Sequence, residues 1–398
     1  MPFISNIDPM TIAKSSPEVS INRPALLKNA EVYHTIKNAD TYGINVGKVS
    51  VDFNKNIKRS RDVSNRLSKG IEFLMKKNKI THITGIGKFT SKTTLEVKNG
   101  NKKEKVEADK IILATGARPR TFPGMELDGK RVISYKEAMI LDAPPKKMII
   151  VGSGAVGSEF AYYYNEFGTE VHMIEMLDRI LPIEDADVSK EVEKSFKKSN
   201  IKISTGTKVF KIESLKTKVK VHTERNGKEE ILEGDLALLA VGVTGNIEYL
   251  GLEELGIETN GGNITINEFN QTNIPNIYAI GDVSGPPWLA HVASAQGHVV
   301  ADYIGGHSPK PVDYSNIPSC TYCQPQVGSL GMTEAQAKDA GYDVKVGKFL
   351  FQASGKAMAV GDTTGFVKLV FDGKYGELLG AHIVGSEATE LIAELGVA

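Results

Sequence analysis

The sequence predicts an α/β protein built around nucleotide-binding turns, and three observations carry that prediction. An apolar strand, "KMIIVG", runs straight into Gly152-Ser-Gly154-Ala-Val-Gly157 and then into a helical stretch. A GxGxxG turn between strand and helix belongs to parallel α/β units. The runs "KIILATGARPR" (110–120) and "IPNIYAIGDV" (274–283) are of buried-strand type and each ends in a turn of small residues, where a ligand can approach the backbone closely. Strand and helix patterns also alternate through residues 319–398. A length of 398 residues suggests two or three domains rather than one.

The elements follow in chain order. Residues 1–24 read as irregular, broken by Pro2, Pro9, Pro17 and Pro24. A helix is predicted to start with Pro24 at its first position, where no N–H is needed. It runs through "ALLKNAEVYHTIKNAD", with Leu27, Ala30, Tyr33 (or His34) and Ala39 bounding its spread. "RDVSNRLSKGIEFLMKKNK" places Val63, Leu67, Ile71 and Leu74 on one helix face. Its Lys and Arg are interleaved with Asp62 and Glu72 and have no aromatic platform, so they read as a solvated face rather than a phosphate patch. The runs "ITHITGIGKFT", "TTLEVKN", "KEKVEA" and "KIILATG" read as strands, as do "KISTGTKVFKIES", "KVKVHTER" and "LALLAVG" further on. A helix is predicted over 289–304, and "GGHSPKPVDYSNIP" (305–318) is a linker.

Composition excludes several classes. Lys+Arg and Asp+Glu both number 48, so the formal net charge is zero and nothing marks a nucleic-acid or anionic-membrane binder. No apolar run is long enough to span a bilayer. The N-terminus lacks the basic-then-apolar layout of a signal peptide, and a cytoplasmic location is expected. The two cysteines, Cys320 and Cys323, form no disulfide framework. Their CxxC lies between Pro318 and Pro325 in a strand-like stretch, not at a helix N-terminus, and has no further ligands at zinc spacing. It reads as a pair of small buried residues rather than a redox or metal motif. The eight histidines show no HExxH-type pair, and no metal site is expected.

The turn at 152 has the chemistry of a dinucleotide site. The first glycine permits the tight turn, the second lets N–H groups approach a pyrophosphate, and the third lets helix pack on strand. Glu175 ends the next strand, 23 residues after Gly152, where a carboxylate accepts from ribose hydroxyls and repels a 2′-phosphate. NAD is therefore expected over NADP, with Arg179 nearby weakening the preference.

The set "ILATGARP", "VGSGAVGSEF", "AVGVTGN", "IYAIGDV", "LAHVASAQG" and "PQVGSLGMTEAQA" resembles the pyridine-nucleotide disulfide oxidoreductases, in family order and spacing, from Ala25 to Ala398. The resemblance is strongest to the dihydrolipoamide dehydrogenase branch. It implies two Rossmann-like domains, an FAD-type domain (25–146 and 272–310) with an inserted NAD-type domain (147–271), then a partial α+β dimerisation domain (311–398). Residues 1–24 stand outside it as an atypical segment. It implies that Gly152, Gly154, Gly157, Glu159, Glu175, Val209 and Gly242 line NAD, with Glu159 near the nicotinamide. It implies FAD contacts from Gly87, Thr115, Gly116, Asp282, Leu289, Ala290 and His291. It further implies a homodimer that works with components of a 2-oxo acid dehydrogenase or glycine-cleavage complex, passing electrons from a dithiol through FAD to NAD.

Several family features are missing. The family's own first GxGxxG, its Cys-x4-Cys disulfide, the lysine facing the flavin and the C-terminal His-Pro base are not in this sequence. The family pattern "CIPSKALL" meets "SINRPALL" here, so Ser20 stands for the second cysteine, Ser15 lies where the first would be, and Pro24 replaces the lysine. A hydroxyl forms no disulfide and relays no electrons, and Pro24 has no ammonium to pair with Glu159. No catalytic residue is identified, both ends are expected to be cut short, and dithiol oxidation by this chain alone is expected to be impaired. A non-catalytic NAD-binding module and a truncated gene product are the alternatives.

Overall fold

Strand and helix patterns pack into two units in the computed structural model, which describes residues 2–5 and 17–397, with side chains from Arg23 onward. One unit takes Lys58–Arg120 and Val243–Val312 with the strand Pro2–Ser5; the other takes Arg23–Ile57, Thr121–Gly242 and the residues from Asp313.

In the first unit, Ile86–Ser91, Thr94–Asn99 and Lys102–Glu107 form an antiparallel meander. Alternating burial points Phe89, Leu95 and Val97 inward, as half-buried strands require. Ile111–Leu113 pairs in parallel with Ile277–Ala279, and Pro2–Ser5 pairs in parallel with Thr81–Thr84. The parallel strands of this unit therefore stand as two separate pairs rather than one sheet. Leu113, Ile277 and Val283 share one apolar core with Phe89 and Leu95.

In the second unit, five parallel strands lie in the order Lys202–Ser204, Glu170–Ile174, Lys147–Val151, Leu236–Leu239, Val132–Ile133. Met148, Ile149, Ile150, Ala237 and Leu238 are fully buried, the near-continuous apolar composition of strands covered on both faces. The helix Ala155–Glu166 lays Phe160, Ala161, Tyr163 and Tyr164 into the interior. Lys208–Ser214, Val219–Arg225 and Lys228–Gly234 form an antiparallel sheet whose Val219 and Val221 pack with Val151 and Leu239. A five-stranded antiparallel sheet follows in the order Ser319–Thr321, Gln326–Gly331, Leu378–Gly385, Phe366–Asp372, Val344–Leu350. The helix Ala388–Val397 seats Ala388 and Ile392 against Leu330, Ala381 and Ile383. Among the described residues no helix is long and apolar enough to cross a membrane.

Three expectations are corrected. The first helix runs Pro17–Lys37, with Pro24 inside it rather than at its start. The proline ring holds φ at a helical value, so the helix can pass through with the loss of one N–H donor. The second helix runs Phe53–Lys77, eight residues earlier than its periodic face suggests. Its start is signalled by Asp52, whose carboxylate accepts from Lys55 N–H at 3.0 Å, an N-terminal cap. It is anchored by Phe53, whose ring lies 6.1 Å from Tyr163 and 5.6 Å from Phe167. Leu67, Ile71 and Leu74 do share a face of this helix, yet all three are exposed. Finally, residues 1–24 are not irregular throughout, because they contribute the strand Pro2–Ser5 and the first turns of the Pro17–Lys37 helix. Ser15 lies outside the described residues, and only the helical backbone is described at Ser20.

Candidate functional site

The crevice at the carboxyl ends of the Lys147–Val151 and Leu236–Leu239 strands is where the parallel sheet reverses its order, since Glu170–Ile174 extends it one way and Val132–Ile133 the other. Ligands of open α/β sheets bind at such a reversal. Gly152 leaves the first of these strands at φ +98°, and a Cβ there would lie 2.4 Å from the O of Ala240, the residue just after the second. A Cβ on Gly157 would lie 2.1 Å from Gly152 O. Only glycine lets helix, turn and neighbouring strand close at these distances. At Gly154 the opposite holds: a Cβ would meet no atom within 4 Å, and no side chain caps the Ala155–Glu166 helix that this residue opens. The first-turn N–H groups are thus left for an anion, helped by the helix dipole. This is a cradle that fits a dinucleotide pyrophosphate.

The remaining predicted NAD residues fall at graded distances from this turn. Gly242 follows the Leu236–Leu239 strand with open space beside its Cα. Glu175 closes the Glu170–Ile174 strand, and its Oε2 accepts from Ser153 N–H at 2.9 Å and Ser153 Oγ–H at 2.7 Å. Its Oε1 accepts from Leu177 N–H at 3.0 Å. Three donors are already on this carboxylate, leaving about one lone-pair site for a ribose hydroxyl. Val209 is a core residue that packs with Val151, Ile174 and Leu239.

Glu159 sits one turn into the helix, and only 2% of its side chain is exposed. Its Oε1 accepts from Tyr322 N–H at 3.0 Å. Pro24 supplies no ammonium to this carboxylate, as the sequence indicates, but the residue before it supplies a guanidinium. Arg23, immediately before Pro24, brings Nε to 2.8 Å from Glu159 Oε2. The N–H does not point along that line, so the contact is a charge pair more than a directed hydrogen bond. Burial pushes the Glu159 carboxyl above the usual carboxylate range, while Arg23 and the Tyr322 N–H pull it back. Motif register compared position with position and passed over Arg23. The signal was one basic residue beside the aligned proline.

The cysteines lie close to this charge. Cys323 is buried and its Sγ–H donates to Pro325 O at 3.2 Å; Cys320 donates to Thr389 O at 3.8 Å. Burial, with nearby carboxylates adding to it, pushes the Cys320 thiol up to about 11 and Cys323 higher still. Low-pKa thiols mark redox cysteines, and these are the reverse.

The predicted flavin contacts belong to the other unit. Thr115, Gly116 and Asp282 follow the two paired strands Ile111–Leu113 and Ile277–Ala279, so the fold brings them to one end. Thr115 Oγ1 donates to Asn246 O and Asn246 Nδ2 returns to Thr115 O, both at 2.8 Å. Leu289 precedes the helix Ala290–Ile304, with Ala290 and His291 in its first turn, and Gly87 sits in the meander opposite Val97. No second GxGxxG accompanies them in the sequence.

A glycine turn at a sheet reversal, opening an uncapped helix, defines a dinucleotide-binding α/β protein. The chain belongs to the pyridine nucleotide-disulphide oxidoreductases, an FAD- and NAD-dependent family: the family model matches residues 15–297 and its dimerisation-domain model residues 317–398. A dihydrolipoyl dehydrogenase from Zymomonas mobilis is 44% identical over 380 residues, covering 94% of this chain and 81% of that one. The Rhizobium etli dihydrolipoyl dehydrogenase is 45% identical over 392 residues, covering 94% and 82%. Among solved structures, LpdA from Mycobacterium tuberculosis shares the fold with a TM-score of 0.90 at 24% identity, over 100% of this chain and 86% of that one. The HOCl-induced flavoprotein disulfide reductase RclA from Escherichia coli has a TM-score of 0.86 at 25% identity, with the same coverage. The matches support a dihydrolipoyl dehydrogenase-like flavoprotein oxidoreductase and, through the dimerisation domain, a homodimer. They lend no support to a truncated gene product.

Proposed function

We propose that this chain is a dihydrolipoyl dehydrogenase-like oxidoreductase whose NAD side is built and whose oxidation of dithiols, acting alone, is impaired. The glycine cradle at Gly152 and Gly157 carries the first half. The pyrophosphate would rest on the first-turn N–H groups beside Gly154, a ribose hydroxyl on Glu175, and the crevice rim on Gly242. Glu159 and Arg23 would form a fixed charge pair one turn deeper. Bound NAD supplies the hydride acceptor.

The second half rests on sulfur. Oxidising a dithiol to a disulfide releases two electrons and two protons, and passing them on by exchange needs a reactive thiolate. The only cysteines are Cys320 and Cys323, and burial keeps both protonated at neutral pH. On the flavin side, Thr115, Gly116, Asp282, Leu289, Ala290 and His291 would follow the isoalloxazine and ribityl chain, with Gly87 beside them. The implied setting is a cytoplasmic homodimer alongside 2-oxo acid dehydrogenase or glycine-cleavage components. A non-catalytic NAD-binding module is the second reading, favoured by the division of the first unit's parallel strands into two pairs.

A visible absorption spectrum, an NADH fluorescence titration and an assay with dihydrolipoamide and NAD test the proposal together. Saturable NADH binding without turnover is expected. Unaided turnover refutes the impairment, and no NADH binding refutes the NAD side. A colourless protein that binds NADH selects the second reading.

A further inference from the structure

Away from the dinucleotide turn, three buried polar side chains form a chain whose hydrogens can be counted. Glu184, Ser329 and His382 are 6%, 8% and 1% exposed. Glu184 lies just before the Ala186–Lys198 helix; Ser329 and His382 face each other on paired strands of the antiparallel sheet. The Ser329 hydroxyl is in hydrogen-bond contact with Glu184 Oε2 and lies 3.2 Å from His382 Nδ1. His382 Nε2 lies 3.1 Å from Met332 O.

A carbonyl only accepts, so Nε2 carries a hydrogen. In a neutral imidazole Nδ1 is then bare and accepts, and among the described residues the Ser329 hydroxyl is the group placed against it at 3.2 Å. That hydroxyl has one hydrogen. If it goes to His382, the Glu184–Ser329 contact needs a hydrogen from the carboxyl. We infer that the folded chain stores one proton in this line, with Glu184 as a neutral acid donating to Ser329, Ser329 donating to His382, and His382 donating to Met332 O. The line is a pH-sensitive clamp between the segment entering the Ala186–Lys198 helix and the antiparallel sheet.

The directions of titration agree. Burial pushes Glu184 up and His382 down, which disfavours the alternative of a carboxylate and an imidazolium. The charged groups around the line are paired with one another. Asp185, Asp187 and Glu334 are held low and Lys368 is held high by their mutual pairing. Lys348 pairs with Asp187, and the Cys320 and Cys323 thiols are pushed up.

Linkage fixes the sign. Glu184 is raised on folding, so its contribution is present below the unfolded glutamate value and is lost as pH rises. His382 is lowered, so its contribution is lost as pH falls below the unfolded histidine value. Glu184→Gln is the test, because an amide N–H reproduces the acid's donated hydrogen and does not titrate. Relative to Glu184→Gln, the folding constant of the parent protein should fall about tenfold per pH unit above pH ~4.3, until the native carboxyl ionises. The acid-side loss should survive in both. Nitrogen NMR should find His382 neutral, with its proton on Nε2, at neutral pH. An unchanged pH profile in Glu184→Gln overturns the inference, and so does an imidazolium at His382. Should Glu184→Gln fail to fold at mildly acidic pH, the carboxylate was ionised and the inference falls.

Discussion

Removing the Arg23 guanidinium should make stability depend on pH in a way that can be worked out beforehand. In Arg23→Met the side chain keeps much of its apolar length, so the lost term is chiefly charge. Glu159, 2% exposed, then has two options. It can stay ionised without its cation, which costs about 3–5 kcal/mol for a broken buried pair. Alternatively it can take up a proton. At pH 7 that costs about 1.4 kcal/mol per unit over the roughly 2.7 units separating pH 7 from an unfolded glutamate, or about 3.7 kcal/mol. Protonation therefore caps the loss at about 3.7 kcal/mol at pH 7 and about 1 kcal/mol at pH 5. Because burial already raises Glu159 in the parent protein, the measured difference will fall below the cap. The sign follows from linkage: a carboxyl raised on folding binds a proton, so the defect grows as pH rises. Urea unfolding followed by circular dichroism at the two pH values measures it. Adding Glu159→Gln to Arg23→Met should flatten the profile. A loss equal at both pH values, or under about 1 kcal/mol at pH 7, would refute the charge pairing.

Two contrasts test the rest of the site. Gly157→Ala puts a Cβ 2.1 Å from Gly152 O, whereas Gly154→Ala meets nothing within 4 Å. The first should lower the melting temperature and weaken NADH by at least ~10-fold, the second should spare melting and weaken NADH alone; equal melting losses would contradict the assigned geometry. Thiol labelling with a chromogenic disulfide at neutral pH should be at least ~100-fold slower in the folded protein than in urea, because burial holds Cys320 at about 11. Rapid labelling of the folded protein would reopen the CxxC as a redox pair.

Much of this was legible in the sequence where local chemistry dominates. The turn at Gly152, the strand before it and the acid at Glu175 are signalled by spacing alone, because glycine at a tight turn and a carboxylate at a strand end have few substitutes. Strands such as Thr94–Asn99 were readable from the sequence run "TTLEVKN", and the structure buries its Leu95 and Val97. What escaped depended on partners distant in sequence. Arg23 and Glu159 lie 136 positions apart, and no periodicity links them. Val209, an NAD-lining position by resemblance, packs in the core with Val219 and Val221 of the neighbouring strand, a contact that motif register does not display. The early start of the Phe53–Lys77 helix has a local signal in the Asp52 cap, but the aromatic contacts of Phe53 to Tyr163 and Phe167 are ones a window along the chain does not see.

Lys368 shows how these distant contacts bear on dissection of the molecule. Its ammonium, 3% exposed, lies 2.8 Å from Asp185, 3.1 Å from Asp187 and 2.7 Å from Glu334. A fragment ending at residue 271 would keep the two aspartates and lose their counter-ion, baring two like charges at the mouth of the Ala186–Lys198 helix. The stretch that looks like a self-sufficient nucleotide-binding module is therefore electrically unfinished when excised, and expression trials should retain the antiparallel sheet.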